Sequence, residues 1–167
     1  SFFGVRIAAA AALASHDSDE SLERLATSWQ AQTDARVRKV VVEKATRRYH
    51  PVARRVIDEV LAAEQNPDIL SVALEALARY SDATAEKQLL ENLAAPSFRN
   101  TLAVSAIKAI EGRRDPSLAP TLLAVLRESA DRFTTNGLAQ GLRSLGQLAA
   151  GMDDTAEVRE FLLQWVN

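Results

Sequence analysis

The chain is read as all-α, an α–α superhelix of about ten antiparallel helices. Three observations lead there. Apolar residues recur with the helical period in every segment, and no alternating β-branched run reads as a strand. One of those segments returns again and again: Leu13, Ala45, Leu77, Ile110 and Leu145 occupy one pattern position, at steps of 32, 32, 33 and 35 residues. A second series, Leu25, Ile57, Leu90 and Leu123, interleaves with the first at steps of 32, 33 and 33. Recurrence at a period of 32–35 residues marks a stacked array whose unit is two helices, A and B, neither of which can bury its stripe alone.

The elements follow in order. Phe2, Val5, Ala9 and Leu13 share a face of a first B helix that has no A partner before it. Asp17 or Asp19 is expected to cap an A helix carrying Leu22, Leu25, Ala26 and Trp29. Asp34 caps the B helix of Val37, Val41 and Ala45, and Pro51 opens the A helix of Val52, Val56, Ile57 and Val60. Asn66-Pro67-Asp68 is a turn, with Asp68 as the expected cap of the helix of Ile69, Ala73, Leu74 and Leu77. Leu89, Leu90 and Leu93 mark the next A helix, which Pro96-Ser97 ends. Leu102, Ala106, Ile107 and Ile110 mark its B partner, with Gly112 the expected left-handed terminus.

Asp115-Pro116 starts the helix of Leu118, Leu122, Leu123 and Leu126, and Pro120, in its first turn or two, predicts a ragged or 3₁₀ start there. The last B helix, about Thr134 to Ala149, holds Gly137, Gly141 and Gly146. Glycine costs a helix up to about 1 kcal/mol relative to alanine, so these predict close helix–helix contact. Asp153-Asp154-Thr155 caps a terminal A helix of Val158, Phe161, Leu162 and Trp165. Both ends are thus half units, and the sequence reads as a single repeat domain over residues 1–167, excised from a longer chain.

Composition narrows the function classes. With 20 Lys+Arg against 22 Asp+Glu the charge is nearly balanced, which disfavours a dedicated nucleic-acid binder. There is no cysteine, hence no disulfide framework, thiolate zinc site or thiol nucleophile, and a cytoplasmic location is expected. No apolar run is long enough to span a bilayer, so no membrane partner is expected. His16 and His50 stand alone, without the three or four ligands a metal site needs. There is no GxSxG serine and no glycine-rich phosphate loop. Neither a catalytic residue, a metal ligand nor a cofactor is assigned.

Two surfaces remain as candidates. Between Arg36 and Arg55 lie Arg36, Arg38, Lys39, Lys44, Arg47, Arg48, Arg54 and Arg55, against one acidic residue, Glu43. This is either an anion-binding patch or a solvated face paired with the acidic stretch at Asp17 to Glu23; the pairing, or a domain–domain contact, is the favoured reading. Phe2 and Phe3 mark the second, an exposed apolar end expected to self-associate or to meet another part of a parent protein.

Asp34 with Val37-Arg38 resembles the B-helix signature of HEAT repeats, so the array is similar to a HEAT/armadillo-like solenoid. Val5-Arg6 matches in part, whereas Ile69-Leu70 and Leu102-Ala103 lack the arginine. FFGVRIAAAAALA at Phe2 to Ala14, RVRKVVVEKA after Asp34, SFRNTLAVSAIKAI at Ser97 to Ile110 and DPSLAPTLLAVL from Asp115 are similar to the C-terminal helical-repeat region of bacterial aminopeptidase N-like zinc metallopeptidases. The resemblance covers essentially the whole chain. It implies a non-catalytic domain that packs beside a catalytic domain and shapes substrate access. The family's HExxH zinc helix, downstream glutamate ligand and exopeptidase loop are missing, so no residue inherits a catalytic or metal role. The alternative is a stand-alone HEAT-like adaptor that binds a protein partner.

Overall fold

The structure is a computed structural model that describes residues 2–166. Ser1, at the head of the expected first helix, lies outside the described residues. The fold is all-α and repetitive: 78% of the chain is helical, in ten α-helices with no strand among the described residues. The residues cluster into two compact units, Ser1–Leu77 and Ala78–Asn167.

The first unit holds α1 (Phe3–Ser15), α2 (Asp19–Ser28), α3 (Ala35–Ala45), α4 (Pro51–Ala63) and α5 (Pro67–Ala76). Its centre is α3, which touches all four of the others. Val37, Val42 and Ala45 of α3 are fully buried, as are Val56, Ile57 and Val60 of α4 and Ile69 and Leu74 of α5. Local signals set the helix starts. Asp34 accepts from the Arg36 N–H as expected. Three other caps differ from expectation. Ser18, between the two expected aspartates, accepts from the Ser21 N–H; Asp17 instead takes a left-handed φ of 46°. Asn66 caps α5, accepting from Asp68, whose carboxylate then sits in the first turn where the helix dipole favours it. His50 is a cap rather than a plain loop residue: its Nδ1 accepts from the Val52 N–H.

The second unit holds α6 (Ala83–Ala94), α7 (Thr101–Arg113), α8 (Ala119–Ser129), α9 (Thr135–Ala149) and α10 (Ala156–Leu163). A 3₁₀ turn, Pro116–Leu118, precedes α8, as Pro120 predicts. Gly112 stays helical, and Arg114, at φ 54°, is the left-handed residue that ends α7. The glycine serves packing instead, since a Cβ there would lie 3.1 Å from Ala78 Cβ. In α9 the expected close approach holds at two glycines and fails at the third. A Cβ on Gly137 would meet Val104 Cγ2 at 2.9 Å and one on Gly141 would meet Leu126 Cδ2 at 2.6 Å, while Gly146 faces only Leu162 at 3.9 Å.

The repeat register is clearest in burial. Ala45, Leu77, Ile110 and Leu145 are at most 1% exposed, whereas their counterpart Leu13 is 38% exposed. In the A series the core position is Leu89 rather than Leu90, which is half-buried; Leu122 is fully buried beside Leu123.

Candidate interaction surfaces

The basic stretch folds into a lattice of internal pairs. Arg36 grips the Asp34 carboxylate with two nitrogens, at 3.1 and 2.7 Å, and its guanidinium lies 3.7 Å over the Phe3 ring. That hydrogen bond lowers the Asp34 pKa to about 2. Arg47 donates to the Ala14 carbonyl at 3.1 Å and lies 3.6 Å from the Asp17 carboxylate. Arg48 pairs with Asp19 and Asp17, Arg54 with Asp58 at 3.1 Å, and Arg55 with Glu23 at 2.7 Å. Lys39 is half-buried and makes no ion pair among the described residues. The arginines of the expected patch therefore already hold carboxylates. Arg48 and Arg55 reach back about one repeat, to the acidic residues at the start of α2.

Arg38, named by the sequence in both the basic stretch and the HEAT-like signature, has a part that neither specified. Its Nε donates to Glu64 Oε2 at 2.6 Å and its Nη1 to the Gln32 carbonyl at 2.8 Å. One guanidinium thus ties the α2–α3 loop to the α4–α5 loop. Glu64 also accepts from the N–H groups of Gln65 and Asn66, both at 2.9 Å. Burial pushes the Glu64 pKa up, but Arg38 and the two amides outweigh it and hold the carboxylate below its usual range. The signal available in sequence was a glutamate directly before Gln-Asn-Pro, at a helix end.

In the second unit Glu111 Oε2 accepts from the Ser144 hydroxyl at 2.6 Å and from Gln140 Nε2. Arg113 donates to the Tyr80 carbonyl. That bond spans 33 residues, as does Arg47 to Ala14, so each unit ties a B-helix end to the carbonyl end of the preceding repeat.

The apolar end divides. Phe2 is 85% exposed, as expected, but Phe3 is partly covered by Arg36. Val5 and Leu13, on the same α1 face, are 61% and 38% exposed. A groove of about 200 Å³ runs between α1, α2 and α3, walled by Ala9, Leu13, Leu25 and Val41; Gln32 Oε1, on its lining residue, is buried with no hydrogen-bond partner among the described residues. At the other end Val158 and Phe161 are buried while Trp165 is 47% exposed; Trp29, by contrast, is buried and donates to Glu59 at 3.3 Å.

Among the described residues no group of three His, Asp or Glu is placed to hold a metal ion, and no helix is long and apolar enough to cross a membrane. Neither family models, curated proteins nor solved structures give a match to this chain.

Proposed function

We propose that this chain is the non-catalytic, HEAT-like helical-repeat domain of a zinc-dependent aminopeptidase. In this reading it packs beside the catalytic domain and shapes substrate access. The resemblance supplies the family, and the open face of α1 is the observation that supports a packing role. Val5, Ala9 and Leu13 lie 32 residues before Val37, Val41 and Ala45, which are all buried in α3. The same pattern in α1 is uncovered, so it is a seat for an A-type helix or a domain wall. The test is the open reading frame that encodes these residues. An HExxH helix with a downstream glutamate, upstream in the same frame, is the expected result. A frame that encodes these repeats without any such segment overturns the reading.

One observation favours a stand-alone adaptor as the second reading. Phe98 is 76% exposed on a turn where Arg99 and Asn100 both take left-handed φ, 51° and 52°. Two such residues in succession store strain of about 1–3 kcal/mol each. A solvent-facing phenylalanine held that way suits insertion into a partner's pocket.

A further inference from the structure

We propose that the second unit holds a site for a small zwitterion, an α-amino acid with an aliphatic side chain, where α7 and α9 end. The ammonium pairs with Glu111, the carboxylate with Arg114, and the side chain rests on Leu148 and Pro116.

A cavity of about 380 Å³ lies there, lined by Glu111, Arg114, Pro116, Gln147, Leu148 and Gly151. That is within the range of small-molecule sites, about 300–1,000 Å³. Backbone contacts set its walls. A Cβ on Gly151 would lie 2.5 Å from Pro116 Cγ, so the turn after α9 is pressed against the 3₁₀ turn before α8. Glu111 is held by one oxygen only. Its Oε2 accepts from the fully buried Ser144 hydroxyl at 2.6 Å and from Gln140 Nε2. Its Oε1 has no hydrogen-bond partner among the described residues. The carboxylate is therefore fixed in place with one oxygen to spare.

Arg114 supplies the opposite charge. It takes a left-handed φ of 54°, which glycine adopts freely and a side chain with a β-carbon does not. Its guanidinium makes no hydrogen bond or ion pair among the described residues, whereas the neighbouring Arg113 is tied to the Tyr80 carbonyl. Glu111 and Arg114 thus line one cavity without pairing with each other. An acceptor on one side and a donor-only cation on the other complement a molecule that carries both an ammonium and a carboxylate. Both α7 and α9 end at this cavity, and helix C-termini favour positive charge. A lone anion would face Glu111 and two carbonyl ends, and a lone cation would face Arg114; a zwitterion answers both. The Gln147 amide can donate or accept beside either group, and Leu148 and Pro116 form the apolar wall. The inference does not depend on the aminopeptidase reading, since all six residues belong to this chain.

The test is an NMR titration of the isotope-labelled chain with L-leucine to about 20 mM. Two ion pairs and one apolar wall on an open cavity are expected to give a dissociation constant of about 1 mM. Amide shifts should centre on Glu111, Arg114, Gln147 and Gly151. Leucine amide lacks the carboxylate and isocaproate lacks the ammonium, and each should bind at least tenfold more weakly. Arg114→Gly and Glu111→Gln should do the same to leucine. Arg114→Gly also separates binding from folding: glycine suits the left-handed φ, so this variant should melt no lower than the wild type while losing the ligand. Glu111→Gln keeps an acceptor for Ser144 and Gln140. An absence of shifts at these four residues overturns the proposal. So does leucine binding that survives in Arg114→Gly, or isocaproate or leucine amide binding as tightly as leucine, which would mean a site for a single charge.

Discussion

Replacing Glu64 by alanine tests whether the Arg38–Glu64 staple organises the first unit. The Glu64 side chain is only 7% exposed and that of Arg38 20%, so the pair is more covered than an ordinary surface bridge. Exposed bridges contribute about 0–1 kcal/mol. Removing one partner of a fully buried pair costs about 3–5 kcal/mol, because a charge is left without compensation. This pair lies between the two limits. Alanine also leaves the Gln65 and Asn66 amides without their acceptor and the Arg38 Nε without a partner, and a hydrogen bond to a charged group is worth about 1.5–3 kcal/mol. Water reaches the loop amides, so the losses do not add in full. The expected cost is about 2–3 kcal/mol, or about 4–12 °C in melting temperature for a chain of this size.

Glutamine at the same position keeps a carbonyl acceptor for the amides and loses only the charge, for about 1 kcal/mol. Arg38→Ala is expected to cost as much as Glu64→Ala, since it strands the carboxylate and frees the Gln32 carbonyl. Hydrogen exchange of the first unit is the assay, with the double variant closing a thermodynamic cycle. A coupling of about 1–2 kcal/mol is expected. Costs below about 0.5 kcal/mol for Glu64→Ala, or strict additivity in the double variant, refute the staple.

The remaining predictions follow from single geometries. Asp34, Glu64 and Asp115 all have folded pKa values below their usual ones, so their contribution is present above the usual carboxylate range and fades as pH falls from about 4 toward 2. An acid titration followed by circular dichroism should show that loss, shifted in Arg36→Ala, which removes the largest cause at Asp34; a flat profile over that window contradicts it. Gly141→Ala should destabilise by about 1–3 kcal/mol, because its Cβ would meet Leu126 at 2.6 Å and Leu126 is itself fully buried, whereas Gly146→Ala should stabilise by about 0.5–1 kcal/mol. Equal melting temperatures for the two variants would contradict this. Random single-stranded DNA should bind no tighter than about 10⁻⁴ M at physiological salt, since the arginines already hold carboxylates. Salt-sensitive micromolar binding in fluorescence anisotropy, lost in Arg47→Ala with Arg48→Ala, would reopen the anion-patch reading.

Helix number and order were legible in the sequence because stacked repeats make the apolar period report burial directly. Val37, Ile57, Leu74 and Ile110 are all core for that reason. Caps were less legible. Ser18 and Asn66 compete with nearby aspartates for the same free amides, and backbone geometry rather than residue type decides between them, while the His50 ring takes a cap position that residue type does not suggest. The Leu89 and Leu90 ambiguity has the same origin, since adjacent leucines satisfy the period equally well until a neighbour covers one of them. The expected terminus at Gly112 failed because glycine has two uses in a helical array, a left-handed end or a close contact, and composition does not distinguish them.

The basic stretch shows why charge density along a sequence is a weak guide to function in a repeat protein. Eight cations in 20 residues read as a patch only while the chain is viewed as a line. Stacking at a 32-residue period brings Arg55 to Glu23 and Arg48 to Asp19, so the acidic run one repeat earlier becomes the counterpart of the basic run. The same stacking explains where surface remains for recognition. Inside the array each helix finds its neighbours at fixed spacing, and polar groups find partners with them. At Val5 and Leu13 on α1, and at Trp165 just past α10, apolar positions whose counterparts Val37, Ala45 and Trp29 are buried stand exposed. Apolar exposure at those places follows from the repeat itself.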